Sequence, residues 1–269
     1  KRFAQEFGKE NVYLHIHHHL LCEPYIDHIY GSVIGISQFA TREWMRTTED
    51  KDVKAYTVYN CVNEDKFKKR ITPEERERIR GEFGFKRDDT ILLFCGRIIE
   101  VKGVRELLQA VINLKPPDIK LLMIGSAGFG GNVVTPYVQE VQKLVEKAGE
   151  RVKFTGYIEN QKLYRYYQSA DIQVIPSLWE EAAGLIAIEG MLSGLPLIIT
   201  KSGGMIEYAP SNVAVWIDRD NIIPNLEAAI IQLADDKEKR KEMSELSLEQ
   251  AKEFPKKKFY EDYIEVFEH

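Results

Sequence analysis

The sequence predicts an α/β protein built on a doubly wound parallel sheet. Short apolar runs alternate with amphipathic stretches of helical length from about residue 91 to about residue 234. Helices of that length between strands make βαβ units and a helix-covered parallel sheet. The chain also lacks a fixed-period repeat and low-complexity tracts, so no repeat architecture competes with this reading.

The elements follow in order. ILLFCG (91–96) is a strand that ends in glycine, followed by a helix from Val104 to about Leu114. IKLLMIGS (119–126) is the next strand, followed by a helix from about Pro136 to Ala148. VKFTGYI (152–158), IQVIPS (172–177), PLIIT (196–200) and VAVWI (213–217) continue the series, with helical patterns over 160–169, 184–193, 203–209 and 221–234. Residues 61–254 are therefore expected to form one doubly wound domain. Ahead of it, NVYLHIHHHL and SVIGISQFA read as two strands with a helix over about 22–30 between them. KAYTVYNCVNEDKF reads as a last strand and a linker. This piece, 1–60, is part of a second Rossmann-like domain, because a whole one needs roughly twice that length. Either the polypeptide begins earlier or the piece leans on its neighbour. After Pro255, residues 255–269 read as an amphipathic, aromatic-rich helix.

Composition narrows the function. Of 269 residues, 44% are hydrophobic and 29% are charged, with a formal net charge of −5. That balance suits a soluble domain and argues against nucleic acid as partner. Cys22, Cys61 and Cys95 are scattered, odd in number and without CxxC spacing. Reduced thiols in the cytoplasm fit that pattern better than a disulfide frame or a zinc site. No apolar run approaches the ~20 residues of a membrane span. Glu261, Asp262, Glu265 and Glu268 in the tail helix allow at most peripheral membrane contact.

Two stretches carry chemistry. In SLWEEAAGLIAIEGMLSGLPLII (177–199), Glu181 lies in a loop after a strand and Glu189 inside the following helix. Ligands of open α/β sheets sit at the carboxyl ends of the strands. The Gly184–Leu185 backbone at the helix start offers free N–H donors to an anion, whereas the two carboxylates suit hydroxyl groups. A diol and a phosphate in one ligand point to a nucleotide sugar; the plainer reading is two solvated glutamates. In FCGRIIEVKGV (94–104), Arg97 and Lys102 stand at the end of a strand and make a sensible diphosphate clamp.

GRIIEVKG (96–103), YNCVNEDKF (59–67) and the block from FTGYIENQ to GGMIEY (154–208) resemble the GT-B retaining glycosyltransferases with a Glu-x7-Glu motif. These form glycosyltransferase family 4, of the group 1 type, with bacterial cell-surface and spore-coat members. The resemblance implies a GT-B fold and an enzyme (a hexosyltransferase, EC 2.4) that moves a sugar from a nucleotide-diphosphate sugar, by default a UDP-sugar, with retention. Its acceptor would be a glycan, a lipid-linked or a protein acceptor in glycan or cell-surface polysaccharide synthesis. It implies Glu189 on the ribose, Glu181 on the donor sugar, and Arg97 and Lys102 on the diphosphate with the N–H groups of Gly184 and Leu185. It sets the base against Tyr157, Ile158 and Leu163. Neither metal nor cofactor is implied, since the two cations supply the charge. Ala183 stands where an aromatic is common, and Asn60-Cys61-Val62-Asn63 where Asn-Gly-Val-Asp is usual.

His15, His17 and His19 alternate along a strand and could in principle ligate a metal. Without a partner ligand at fixed spacing the expectation is no metal site, and the resemblance implies instead that His17 faces the donor sugar and takes part in catalysis. GSAGFGG (125–131) lacks the G-x-G-x-x-G order of a dinucleotide fingerprint and reads as a mobile loop at the cleft. Two other functions stay open: a nucleotide-sugar 2-epimerase of the same fold, and a non-catalytic nucleotide-sugar-binding module.

Overall fold

The computed structural model describes residues 1–128 and 133–268. Strands β1 (Tyr13–Ile16), β2 (Ser32–Gly35) and β3 (Lys54–Thr57) form one sheet in the order β1-β2-β3. Strands β4 (Thr90–Cys95), β5 (Ile119–Ile124), β6 (Val152–Phe154), β7 (Ile172–Ile175), β8 (Leu197–Thr200) and β9 (Ala214–Ile217) form a second, ordered β6-β5-β4-β7-β8-β9. Every pairing in both sheets is parallel. We call the parts built on the two sheets the first and second lobes.

The period of two along β4 explains the double layer. Leu92 and Phe94 point to helices Val104–Asn113 and Ile222–Asp235, while Ile91, Leu93 and Cys95 face helices Leu163–Ser169 and Leu185–Leu192. With both faces covered, the strand reads as an unbroken apolar run. Helix Val104–Asn113 buries Val104, Leu107, Leu108 and Val111, one stripe at helical spacing. Full burial of each such leucine contributes about 1.5–3 kcal/mol.

The order of the second sheet creates its crevice. The chain enters at the central strand β4, winds outward through β5 and β6, then returns to β7 on the other side and winds away. The loops after β4 and β7 therefore leave in opposite directions and open a gap at their carboxyl ends. Gly103 sits in that gap with φ +67°, and a Cβ there would lie 1.9 Å from the Pro176 carbonyl oxygen. Backbone thus packs on backbone between the two diverging loops.

The first lobe departs from the sequence reading in three places. The strand expected over NVYLHIHHHL stops at Ile16, so His17 and His19 lie beyond it rather than alternating along it with His15. No helix forms over 22–30; the chain makes turns over 24–28 instead. Asp27 is the cause, since its carboxylate accepts from the backbone N–H groups of His28 and Glu49 and from the Thr48 hydroxyl. His28, at φ +58°, then takes the chain out of helical geometry. The strand expected to reach Ala40 ends at Gly35, because Ser37 caps a helix, Gln38–Thr47, by accepting from Ala40 N. In the second lobe the strand expected over 152–158 stops at Phe154. Helices Pro73–Glu82 and Lys237–Gln250 also form, capped by the Thr72 and Asp236 side chains. The last helix, Lys256–Glu268, lies on the first sheet, where Val266 packs with Ile34 and Val58. Among the described residues no helix is long and apolar enough to cross a membrane.

Gly103→Ala forces a Cβ into the Pro176 carbonyl at a left-handed φ. The expected loss is about 2 kcal/mol or more, read as a lower urea midpoint with unchanged slope. Wild-type stability in this variant would show that the two loops are free to separate.

Candidate active site

Two cavities adjoin in the crevice. The first, of about 510 Å³, lies between the ends of β4, β5 and β7 and the helix Leu185–Leu192. Tyr157, Ile158, Leu163 and Glu189 line it. The second, of about 410 Å³, takes His17, Ile36 and Asn60 from the first lobe and its linker, and Trp179, Glu181, Ala183 and Met205 from the second. Arg97, Lys102, Leu185 and Ile186 line both, so they form the passage from one to the other.

Glu189 projects from the helix Leu185–Leu192 towards the first cavity. Its Oε2 accepts from the hydroxyl of Tyr167 at 2.8 Å, and Tyr167 is wholly buried. Burial pushes the Glu189 carboxyl above its ordinary range, opposed by the Tyr167 hydroxyl and the charge of Lys66. Beside it, burial together with the Glu189 charge pushes the Cys95 thiol up to about 12.

Glu181 lies four residues after Ser177 in the loop beyond β7 and is only 7% exposed. Its Oε1 accepts from both the Ser177 hydroxyl and the Lys102 ammonium. Its backbone is held too: Glu181 N donates to Ser202 Oγ at 2.9 Å, and its carbonyl accepts from Gly204 N at 2.7 Å. Lys102 Nζ also lies 5.4 Å from the centre of the Trp179 ring. The neighbouring Glu180 turns away to Arg219 and Gly203 N. Neither Glu181 nor Glu189 is the solvated surface residue of the plainer reading.

The other expected residues divide. Leu185 is 40% exposed and reaches both cavities. Gly184 lines neither; it is buried against Met205 and Tyr208, and its carbonyl accepts from Ala187 N and Ile188 N. The first N–H groups of that helix have no partner within it. The three histidines part company. His17 enters the second cavity, His15 bonds the Tyr263 hydroxyl at 2.6 Å, and His19 Nε2 lies 3.2 Å from Glu43 Oε2. Burial, with the His17 ring alongside, lowers the His15 imidazole to about 4. Among the described residues the side chains that come within mutual ligating range are Asp27, His28 and Asp50, and Lys9 already pairs with Asp50. Of the glycine-rich stretch, Gly125, Ser126 and Gly128 line the first cavity, and residues 129–132 lie outside the described residues.

Sequence reasoning missed Ser177, Trp179, Asn60 and Tyr167. Ser177 and Trp179 sit within the quoted loop and were legible by position. Tyr167 gave no signal, because an aromatic at helical spacing reads as core.

Two lobes of parallel sheet, facing across a cleft at a strand-order switch, define an α/β protein of the GT-B type. Within that class the chain belongs to the group 1 glycosyl transferases, whose family model matches residues 75–250. Spore coat protein SA of Bacillus subtilis is 31% identical over 222 residues, 80% of this chain and 59% of that protein. The chain thus spans less than two thirds of the length of such relatives. A glycosyltransferase from Rickettsia africae superposes with a TM-score of 0.81 at 21% identity, covering 95% of this chain and 69% of that one. Anabaena HepE, solved in complex with UDP and glucose, gives 0.78 at 19% identity, covering 95% and 70%. At these identities the structures bear on the fold alone.

Glu189→Gln keeps an acceptor for Tyr167 and removes a charge that burial disfavours. A carboxyl raised in the folded state leaves the native protein holding more protons than the unfolded chain, so its contribution worsens as pH rises through the folded pKa. The variant is expected to melt higher than wild type at neutral pH in the absence of ligand, and to lose that advantage as pH falls into the usual carboxylate range. A constant difference across pH would show that Glu189 carries no such penalty.

Proposed function

We propose that the chain carries the donor site of a retaining glycosyltransferase that moves a sugar from a UDP-sugar to a glycan, lipid-linked or protein acceptor. The observation that carries this reading is the pair of cavities joined at Arg97 and Lys102. A nucleotide sugar has the same layout: nucleoside, diphosphate, sugar.

The nucleoside fits the first cavity, its base against Tyr157, Ile158 and Leu163. Tyr167 occupies Glu189 Oε2, so the ribose hydroxyls donate to Oε1. The diphosphate lies at the passage, where Arg97 offers a fork, Lys102 an ammonium and the helix start at Leu185 its free N–H groups. Gly184 serves by letting the backbone pack rather than by touching phosphate. The sugar fills the second cavity between His17 and Glu181; Ser177 and Lys102 both take Oε1, so a sugar hydroxyl bonds Oε2.

In the transfer, the bond from the anomeric carbon to the diphosphate oxygen breaks and a bond to the acceptor oxygen forms on the same face. The acceptor proton passes to the departing diphosphate, which Arg97 and Lys102 stabilise as its charge grows. Glu181 and His17 steady the sugar as positive charge develops on its ring. No metal enters this scheme, because the two cations carry the charge. A UDP-sugar is the donor that the family resemblance implies by default, and the Anabaena neighbour of the same fold was solved with UDP and glucose. The spore-coat relative favours a role in cell-surface glycan synthesis. The three cysteines, all free, suit the reducing cytoplasm.

Thermal shift with UDP-, GDP- and ADP-sugars tests the donor. A ligand at 100 times its Kd adds about 2.7 kcal/mol of stability, and the UDP-sugars are expected to do so. Stabilisation by none of the three classes overturns the reading. Arg97→Ala should weaken UDP binding by about tenfold or more, the loss of a charge-assisted contact of about 1.5–3 kcal/mol. Lys102→Ala should do the same and also lower stability, since it strips the buried Glu181 of its counter-charge.

The two glutamates should fail differently. Glu189→Gln mainly raises the donor KM, as loss of uniform binding does, while Glu181→Gln mainly lowers kcat. The reverse pattern would exchange their roles.

A further inference from the structure

Three donors from the first lobe and its linker converge on one carboxylate of the second. Glu207, in the short turn of helix Met205–Tyr208, accepts from Gln38 N at Oε2 and from Phe39 N at Oε1, both at 2.8 Å. The Tyr59 hydroxyl adds a third bond, to Oε2 at 3.0 Å. Those N–H groups are the first two of the helix Gln38–Thr47, and its third, Ala40 N, is taken by Ser37. A helix N-terminus attracts negative charge, and here a carboxylate 168 residues away in sequence from Phe39 satisfies it. Burial, with the Glu207 charge adding, pushes the Tyr59 hydroxyl up to about 12, so it stays a donor throughout the working range of pH.

The neighbouring residue completes the junction. The Tyr208 hydroxyl donates to the Ile36 carbonyl at 2.5 Å and accepts from Asn60 N at 2.9 Å, and its side chain is fully buried. The lobes touch closely here: a Cβ on Gly204 would lie 2.6 Å from Ser37 Oγ, and one on Gly203 2.9 Å from the Phe39 ring.

We propose that Glu207 is a positioning residue: it clasps the two lobes and so holds the walls of the second cavity at the spacing a donor sugar needs. The inference rests on the reading of that cavity as the sugar site. Ile36 and Asn60, the partners of Tyr208, line the second cavity, as does Met205, which opens the Glu207 turn. The first cavity is lined from residues 94 to 189 alone, so no part of the clasp touches it. The clasp therefore governs sugar recognition and leaves nucleoside recognition alone. A residue that merely supported the fold would weaken both.

The test compares the affinities of UDP and UDP-glucose by calorimetry in the full chain, for wild type and Glu207→Gln. The amide has one acceptor oxygen for three donors and sets its NH₂ group against a backbone N–H. The expected result is a UDP Kd within about twofold of wild type and a UDP-glucose Kd weakened at least about tenfold, a loss of about 1.4 kcal/mol. Tyr59→Phe removes a single donor without disturbing the backbone contacts and should shift the same ratio in the same direction by less. Equal changes in both affinities, or no change in either, overturn the clasp. A wild-type chain that fails to bind UDP overturns the donor reading as well, which separates the two failures.

Discussion

The divergence of the chain on either side of β4 and β7 is the constraint on which the rest of the structure depends. Parallel strands need long crossovers, and right-handed crossovers that leave neighbouring strands in opposite directions cannot close the space between them. That space is where Lys102, carried by the loop after β4, meets Glu181, carried by the loop after β7. Gly103 makes the meeting possible: only a residue without Cβ lets the Lys102 loop press onto the Pro176 backbone.

The two glutamates then receive opposite electrostatic treatment. Glu181 is buried with a full counter-charge and a hydroxyl on one oxygen, which offsets its desolvation. Glu189 is given a single neutral donor, so burial works against its charge. A carboxylate that is costly in the empty protein gains most from hydroxyl donors that arrive with a ligand.

Polar contacts join the lobes at the edge of the same crevice, in addition to the apolar packing of the last helix on the first sheet. Ala182 and Ala183 pack into the first lobe's core. Around them Glu207 and Tyr208 bind backbone groups of Ile36, Gln38, Phe39 and Asn60. Directional bonds to backbone fix both distance and orientation, which a cavity shared by two lobes needs and apolar contact alone does not supply.

Much was decided locally. The strands of the second lobe, their intervening helices and the placement of Glu181 in a loop and Glu189 in a helix follow from periodicity and from Gly and Pro punctuation, which act within a few residues. Arg97 and Lys102 at a strand end were legible for the same reason. Local patterns failed where a distant group outbid them. Asp27 captures the backbone of residue 49 and the Thr48 hydroxyl and prevents a helix over 22–30. Ser37 turns an expected strand into a helix whose first N–H groups are met by Glu207. Tyr167 is an ordinary core aromatic by spacing and becomes the support of Glu189 only when the sheet order sets their helices side by side. The sequence by itself determined which residues carry charge at the strand ends. Tertiary structure alone decided which charges meet, because pairing across 79 residues from Lys102 to Glu181 depends on strand order, and strand order is a property of the whole sheet.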